Sequence, residues 1–316
     1  MRLRNKSILV FLILYVQTLC IRAQYDPSFT NYWAMPSYYN PAATGQDGML
    51  NFQGAYAMQM TGFENAPSVM SAIVDLPLFF VNSKHGVGVG FLNDQLGLFK
   101  HQQFYLQYAY HQPLWGGKLS GGIHLGLLSE GFDGSGLDLE ESSDPAFPTS
   151  EVNGSGFDLS FGLQYAGKSW FAGFSMMHCT SPTVEFGDEK VNQLEISPSY
   201  YLMGGYNISL KNPLYTIHTS AMLRSDIIGW RGDITGRLAY HGSKHELYGG
   251  LSYSPTISVS FLFGGNFHGV NLGYAYELYT SGIGALNGSH EIIIGYKTEL
   301  NLFKKGKNKH KSVRLL

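Results

Sequence analysis

Residues 156–166 read GFDLSFGLQYA, and the apolar side chains recur at every second position. In an extended chain Phe157, Leu159, Phe161, Leu163 and Tyr165 share one face, and Asp158, Ser160, Gly162, Gln164 and Ala166 share the other. A helix would scatter both sets around its circumference, so the stretch predicts a strand with one apolar face and one that tolerates water. Residues 49–60 repeat the pattern, with Leu50, Phe52, Tyr56, Met58 and Met60 opposing Asn51, Gln53, Ala55, Ala57 and Gln59.

The same alternation recurs near 68–76, 86–93, 102–111, 118–129, 169–178, 199–210, 214–224, 233–241, 246–254, 257–264, 270–278 and 289–299. With 49–60 and 156–166 that makes fourteen segments, an even number. Between 46 and 301 each strand has about 18 residues available, enough for the ~10 that cross a bilayer plus a connection. The expected fold is all-β, a transmembrane antiparallel β-barrel of about 14 strands. A soluble sandwich or double barrel fits the same periodicity.

Composition agrees: 39 Gly, 21 Tyr and 20 Phe in 316 residues, with only 14% charged, suit strands better than helices. The longest apolar run after the N-terminus, 73–81, is broken by Asp75 and Pro77 and falls short of the ~18 residues of a spanning helix.

The N-terminus reads as a secretory signal, residues 1–23. Arg2, Arg4 and Lys6 form a basic region, 8–19 is apolar, and Ala23 is a small residue at the expected cleavage point. A lipoprotein reading through Cys20 is weaker, because bulky Leu19 precedes it. Removing 1–23 takes four basic and no acidic residues from a chain of net charge −2, leaving −6. That balance argues against a general nucleic-acid binder. Only Cys179 remains, so no internal disulfide is available.

Residues 47–301 form the expected barrel, preceded by 24–46, rich in Tyr, Pro and Asn, and followed by a basic tail, 302–316. Two placements are open for 24–46: plugging the lumen, or lying across the periplasmic mouth. Connections alternate in length. The long ones include 130–155 and 179–198, and the tight ones include Gly167–Lys168, Lys211–Pro213 and Gly242–His245. Outer-membrane barrels keep short turns in the periplasm, which places both termini there. Tyr110, Trp115, Tyr165, Trp170, Tyr215 and Tyr240 flank the short turns, where an interfacial aromatic girdle is expected.

Several stretches of this chain resemble the PorP/SprF family of the type IX protein secretion system. They are QYDPSFTNYWAMPSYYNPAATG (24–45), GVGVGFLNDQLGLF (86–99), YAYHQPL (108–114), LSGGIHLG (119–126) and LGYAYELYTSGIGALNGSHEIIIGY (272–296), of which Gly288–Glu291 is the most specific piece. Ala57 and Met60 depart from the family, which often has an Arg and a Trp near the end of the first strand. The resemblance implies an outer-membrane barrel without catalytic activity or cofactor. It also implies partnership with periplasmic ring and lipoprotein components and a role in carrying particular cargo proteins to the cell surface or holding them there.

Chemistry motifs are sparse. Ser289, His290 and Glu291 resemble hydrolase residues, but neighbours on a strand point to opposite faces, so His290 and Glu291 cannot act as base and orienter. His241, His245 and Glu246 read as turn residues without a clear metal geometry. Gly86, Gly88 and Gly90 precede no helix and form no nucleotide loop; they allow strand coiling or close packing.

Charge offers two candidate contact surfaces. The third long loop is acidic, with Glu130, Asp133, Asp138, Glu140, Glu141, Asp144, Glu151 and Asp158 and no Lys or Arg among them; solvation, a basic partner or a metal ion are the readings. At the opposite end five short connections carry Lys84, Lys118, Lys168, Lys211 and Lys244. The tail adds Lys304, Lys305, Lys307, Lys309, Lys311 and Arg314. This basic face reads either as a solvated rim or as a dock for an acidic periplasmic partner. Two function classes stand, a secretion-accessory barrel and a pore or transporter for small solutes.

Overall fold

A computed structural model describes residues 26–81, 83–134, 151–186, 192–226, 228–243, 245–282 and 287–299. Its strands are β1 (Leu50–Met58), β2 (Ser68–Phe80), β3 (Ser83–Leu96), β4 (Phe99–Leu114), β5 (Gly117–Asp133), β6 (Glu151–Ala166), β7 (Trp170–Met177), β8 (Thr183–Phe186), β9 (Asn192–Glu195), β10 (Ser199–Ser209), β11 (Tyr215–Ser225), β12 (Trp230–His241), β13 (His245–Ser254), β14 (Ser258–Phe267), β15 (Val270–Tyr279) and β16 (Ser289–Thr298). Fourteen of them close an antiparallel barrel in chain order, sealed where β1 pairs with β16, and β8–β9 form a separate hairpin. Closure leaves no unpaired sheet edge, the condition for crossing lipid with strands.

The expected segments all appear as barrel strands. Several are longer than their alternation suggested, among them β6, which begins at Glu151 rather than 156. The reason is local. The projecting parts of β5 and β6 turn their lumen face toward β8–β9, where Leu128, Val184, Phe186 and Ile196 bury one another, so the apolar signal there is not lipid-facing. This hairpin, inside the stretch expected as the loop 179–198, packs on the inner face of β5 and β6 at the long-loop end.

The two faces are as the alternation predicts. Phe157 and Leu163 are exposed on the outer wall while Asp158 and Ser160 are completely buried inside. The outer wall presents Phe261, Phe263, Ile292, Ile294 and many others, an apolar surface far larger than soluble monomers leave in water. That removes the soluble-sandwich alternative. Tyr110, Trp115, Trp170 and Tyr240 are exposed beside the short turns, as a girdle requires.

Tight turns carry the twist. Trp115 and Gly116 have φ of 48° and 76°, and His268 and Gly269 have φ of 56° and 89°. Two consecutive positive φ values make the two-residue primed turn that matches the right-handed twist of flanking strands.

The hydrophobic core lies inside the barrel. Residues 26–46 fill the lumen, with Phe29, Tyr32, Met35, Tyr38 and Tyr39 packed against Ile73, Leu92, Tyr105, Met177, Tyr201, Met203, Met222 and Ile293 of the wall. Of the two placements for this segment, the lumen is therefore the one adopted. Asp26 sits in the long-loop half, beside His178 and Tyr201, and the segment runs to the short-turn mouth, where Gln46 meets Lys118. The described chain ends there too, after β16. The first described residue, Asp26, thus stands in the long-loop half of the lumen and the last described strand ends at the short-turn mouth, with the segment 26–46 threaded between them.

Candidate functional site: the plugged lumen and its mouths

Three clasps hold the plug, and each draws on wall residues far away in sequence. In the long-loop half, His178 Nε2 lies 2.8 Å from Asp26 Oδ1, His178 Nδ1 lies 3.2 Å from Asp158 Oδ2, and the Tyr201 hydroxyl donates to Asp26 Oδ2 at 2.8 Å. Burial, the largest influence on His178, disfavours its charged form. The facing carboxylates of Asp26 and Asp158 outweigh it and raise the pKa from 6.5 to about 10. Burial likewise works against ionised Asp26. The charge of His178, with hydrogen bonds from His178, Ser199 and Tyr201, holds that carboxyl well below the usual range. The clasp is therefore a charged histidine between two carboxylates, closed at neutral pH.

The second clasp is Glu291, the last residue of the Gly-Ser-His-Glu piece. Its carboxylate accepts from Thr30 N at 2.6 Å, Asn31 N at 2.9 Å and Asn31 Nδ2 at 2.7 Å. Ser289 and Gly288 fasten the rim: Ser289 Oγ accepts from Met60 N at 3.0 Å, and Gly288 O accepts from Thr61 N at 2.9 Å. His290 turns to the outer face and meets the Tyr274 hydroxyl at 2.6 Å. The opposite orientation of His290 and Glu291 matches the sequence reading.

The third clasp is the Asn-Pro-Ala turn, 40–42. Asn40 Nδ2 donates to Leu163 O at 3.1 Å, while its Oδ1 accepts from Ala42 N at 2.9 Å and caps the short helical turn that follows. A Cβ on Gly162 would stand 2.0 Å from Asn40 Oδ1, so only glycine lets the turn seat this closely. Below it Gly45, at φ 66°, faces Gly86, whose added Cβ would stand 1.9 Å from Thr44 O. The Gly-x-Gly-x-Gly of 86–90 thus serves close packing. Asp75 completes the exit, accepting from Gly45 N at 2.9 Å and Asn51 Nδ2 at 3.1 Å.

Asp26, Tyr38, Tyr39, Tyr105 and His124 line a void of about 10 Å³, room for about one water. Toward the short-turn mouth lies a larger cavity of about 390 Å³, bordered by Trp33, Arg237, Tyr248, His218 and Glu246. The Arg237 guanidinium carbon stands 3.2 Å from the centre of the Trp33 ring, a cation–π contact tying plug to wall.

The basic and acidic surfaces are only partly as expected. Lys84, Lys168 and Lys211 are exposed at the short-turn end. Lys118 is half-buried instead: its Nζ donates to Gln46 O at 2.6 Å and secures the plug where the segment leaves the lumen. Lys244 and the tail residues Lys304, Lys305, Lys307, Lys309, Lys311 and Arg314 lie outside the described residues, as do Asp138, Glu140, Glu141 and Asp144. Glu130 and Asp158, counted with the acidic loop, instead face the lumen. Glu130 bonds His101, and Asp158 belongs to the His178 clasp. Sequence reasoning missed the plug's partners and also His218, whose lumen-facing parity on β11 was the available signal.

No curated protein matches the sequence. Among solved structures, the CymD monoaromatic hydrocarbon channel is similar, with 11% identity and a TM-score of 0.50 over 89% of this chain and 95% of that one. The TodX deltaS2S3 mutant monoaromatic hydrocarbon channel is similar at 12% identity and a TM-score of 0.50, covering 90% and 98%. A Pseudomonas aeruginosa FadL homologue follows at 10% and 0.49, covering 83% and 92%. At such identities the first two likenesses establish the barrel fold alone. The family model for the type IX secretion system membrane protein PorP/SprF matches residues 21–296, which takes in the plug, the clasps and nearly every strand, and the chain belongs to that family of outer-membrane components of type IX secretion.

Proposed function

We propose that this protein is a non-enzymatic docking barrel of the secretion machine, assisting the export or surface attachment of particular cargo proteins rather than conducting solutes. The observation that carries the reading is the filled lumen: buried aromatics of 26–46 occupy its centre, with a void of about 10 Å³ beside Asp26. A solute path would require undoing several buried clasps. The family supports secretion as the process.

In this reading the short-turn end faces the periplasm and meets ring and lipoprotein components, and the long-loop end faces cargo. The non-enzymatic reading is supported by His290 and Glu291 lying on opposite faces of β16. Reconstitution in planar bilayers, paired with a deletion strain, tests the proposal. The expected result is no steady conductance and loss of specific surface proteins with small-solute uptake unchanged. Steady conductance from the intact protein, with surface proteins unaffected by deletion, would replace it with the transporter reading.

A further inference from the structure

The short-turn mouth carries a donor set that neither docking nor plugging uses. His218 of β11, His241 of β12 and Glu246 of β13 face the lumen from three adjacent strands, with His241 and Glu246 directly paired across the ladder. One ligand atom from each lies within 4.8 Å of the other two. Two imidazole nitrogens and one carboxylate oxygen form a donor set suited to zinc and its neighbours among divalent transition metals.

The hydrogen bonds around the rings set which nitrogens are offered. His218 Nδ1 sits 2.7 Å from Asn207 Oδ1, an acceptor, so Nδ1 carries the proton and Nε2 keeps its lone pair. His241 Nε2 sits 3.1 Å from Thr216 Oγ1, which leaves Nδ1 toward Glu246. His241 Nδ1 and Glu246 Oε2 stand 3.5 Å apart. Two ligands at about 2.0–2.1 Å from one tetrahedral metal are separated by roughly 3.3–3.4 Å, close to that spacing. His218 and Glu246 also border the cavity of about 390 Å³, so a metal held by three protein atoms keeps its fourth position toward open space.

We propose that His218, His241 and Glu246 form a zinc-class metal site at the short-turn mouth of the lumen, with Asn207 and Thr216 orienting the two imidazoles. The ion cross-links β11, β12 and β13 beside the plug and presents an open coordination position to the cavity, filled by water or by a donor atom of an incoming ligand. The site does not rest on the secretion reading, since it is tested on the isolated protein.

The test uses full-length protein in detergent, purified without a histidine tag, stripped with chelator and titrated with Co²⁺ as a spectroscopic probe. Gel mobility before and after boiling verifies that each variant is folded. The expected result is saturation at about one equivalent with a visible d–d band that Zn²⁺ abolishes. His218→Ala, His241→Ala and Glu246→Gln should each weaken binding by at least about tenfold, and Asn207→Ala by about tenfold. His245→Ala and His268→Ala, on the neighbouring turns, should leave it unchanged. Absence of saturable binding in the intact protein overturns the proposal, as does affinity retained in any folded variant of the three ligands.

Discussion

Asn31 and Glu291 stand 260 residues apart in the chain and are joined by two hydrogen bonds, from the Asn31 backbone N at 2.9 Å and its Nδ2 at 2.7 Å, to one carboxylate oxygen. The segment 26–46 is thereby bound to the last strand, the one that closes the barrel on β1. Plug and seam therefore share one strand: Glu291 of β16 holds Thr30 and Asn31 while the same strand pairs with β1.

Glu291→Ala leaves the N–H groups of Thr30 and Asn31 without their acceptor in a buried setting. Each such orphaned group costs about 1–3 kcal/mol. The variant should remain a barrel but unfold at lower urea than the parent, and its 26–35 stretch should exchange amide hydrogens faster. Unchanged exchange there would show that the aromatic packing of Phe29, Tyr32 and Tyr39 holds the plug without this clasp.

The His178 clasp sets a pH dependence whose sign is fixed by the shift. A histidine raised from 6.5 to about 10 on folding contributes stability fully below about pH 6.5, and that contribution is lost as pH rises through about 10. Asp26, held below the usual carboxylate range, contributes above its unfolded value and loses its effect only in strong acid. Urea midpoints for folding into vesicles should therefore fall between pH 6 and pH 10 in the parent and much less in His178→Asn. Parallel pH profiles for the two proteins would refute a charged clasp.

Gly162→Ala places a methyl group 2.0 Å from Asn40 Oδ1, closer than the turn can yield without moving. Overpacking of this kind costs about 1–3 kcal/mol. Asn40→Ala alone loses its bonds to Leu163 O and Ala42 N, but in combination it should relieve the clash. The double variant should thus be more stable than the sum of the single effects allows, measured as a coupling of urea midpoints. Strict additivity would mean that the two residues do not meet.

Sequence made the wall legible because strand periodicity is local: Phe157, Leu159 and Phe161 announce their face within five residues. Strand number, the facing of Asp158 and the girdle at Trp115 and Trp170 all follow from such short-range patterns. The plug was not legible in the same way, since Asn40 meets Leu163, His178 meets Asp26 and Thr30 meets Glu291 across the lumen, at separations of 123, 152 and 261 residues. Alternation also cannot distinguish an inward residue that bonds the plug or a wall neighbour, such as Lys118 or Glu130, from one at a solvated rim. His218 is not legible as a ligand because its partners His241 and Glu246 lie on the next two strands, β12 and β13.

The basic face provides the sharpest test of docking. Lys84, Lys168 and Lys211 are exposed around the short-turn mouth, and Lys118 is committed to Gln46, so the docking set must be built from the first three, Lys244 and the tail. Exposed ion pairs are worth about 0–1 kcal/mol each, so only many acting together can hold a partner, and such binding must weaken with salt. Removing residues 304–316 should leave the gel mobility shift on boiling intact, because β16 ends at Thr298. It should reduce co-purification of periplasmic components, and changing Lys84, Lys168 and Lys211 to Gln in the truncated protein should reduce it further. Lys118→Gln should behave differently, loosening the plug while leaving co-purification near the parent level. If the truncated, Lys-depleted protein still brings down the same components at physiological salt, charge at this mouth does not mediate docking. If Lys118→Gln alone abolishes co-purification, the plug rather than the rim is what the partner reads.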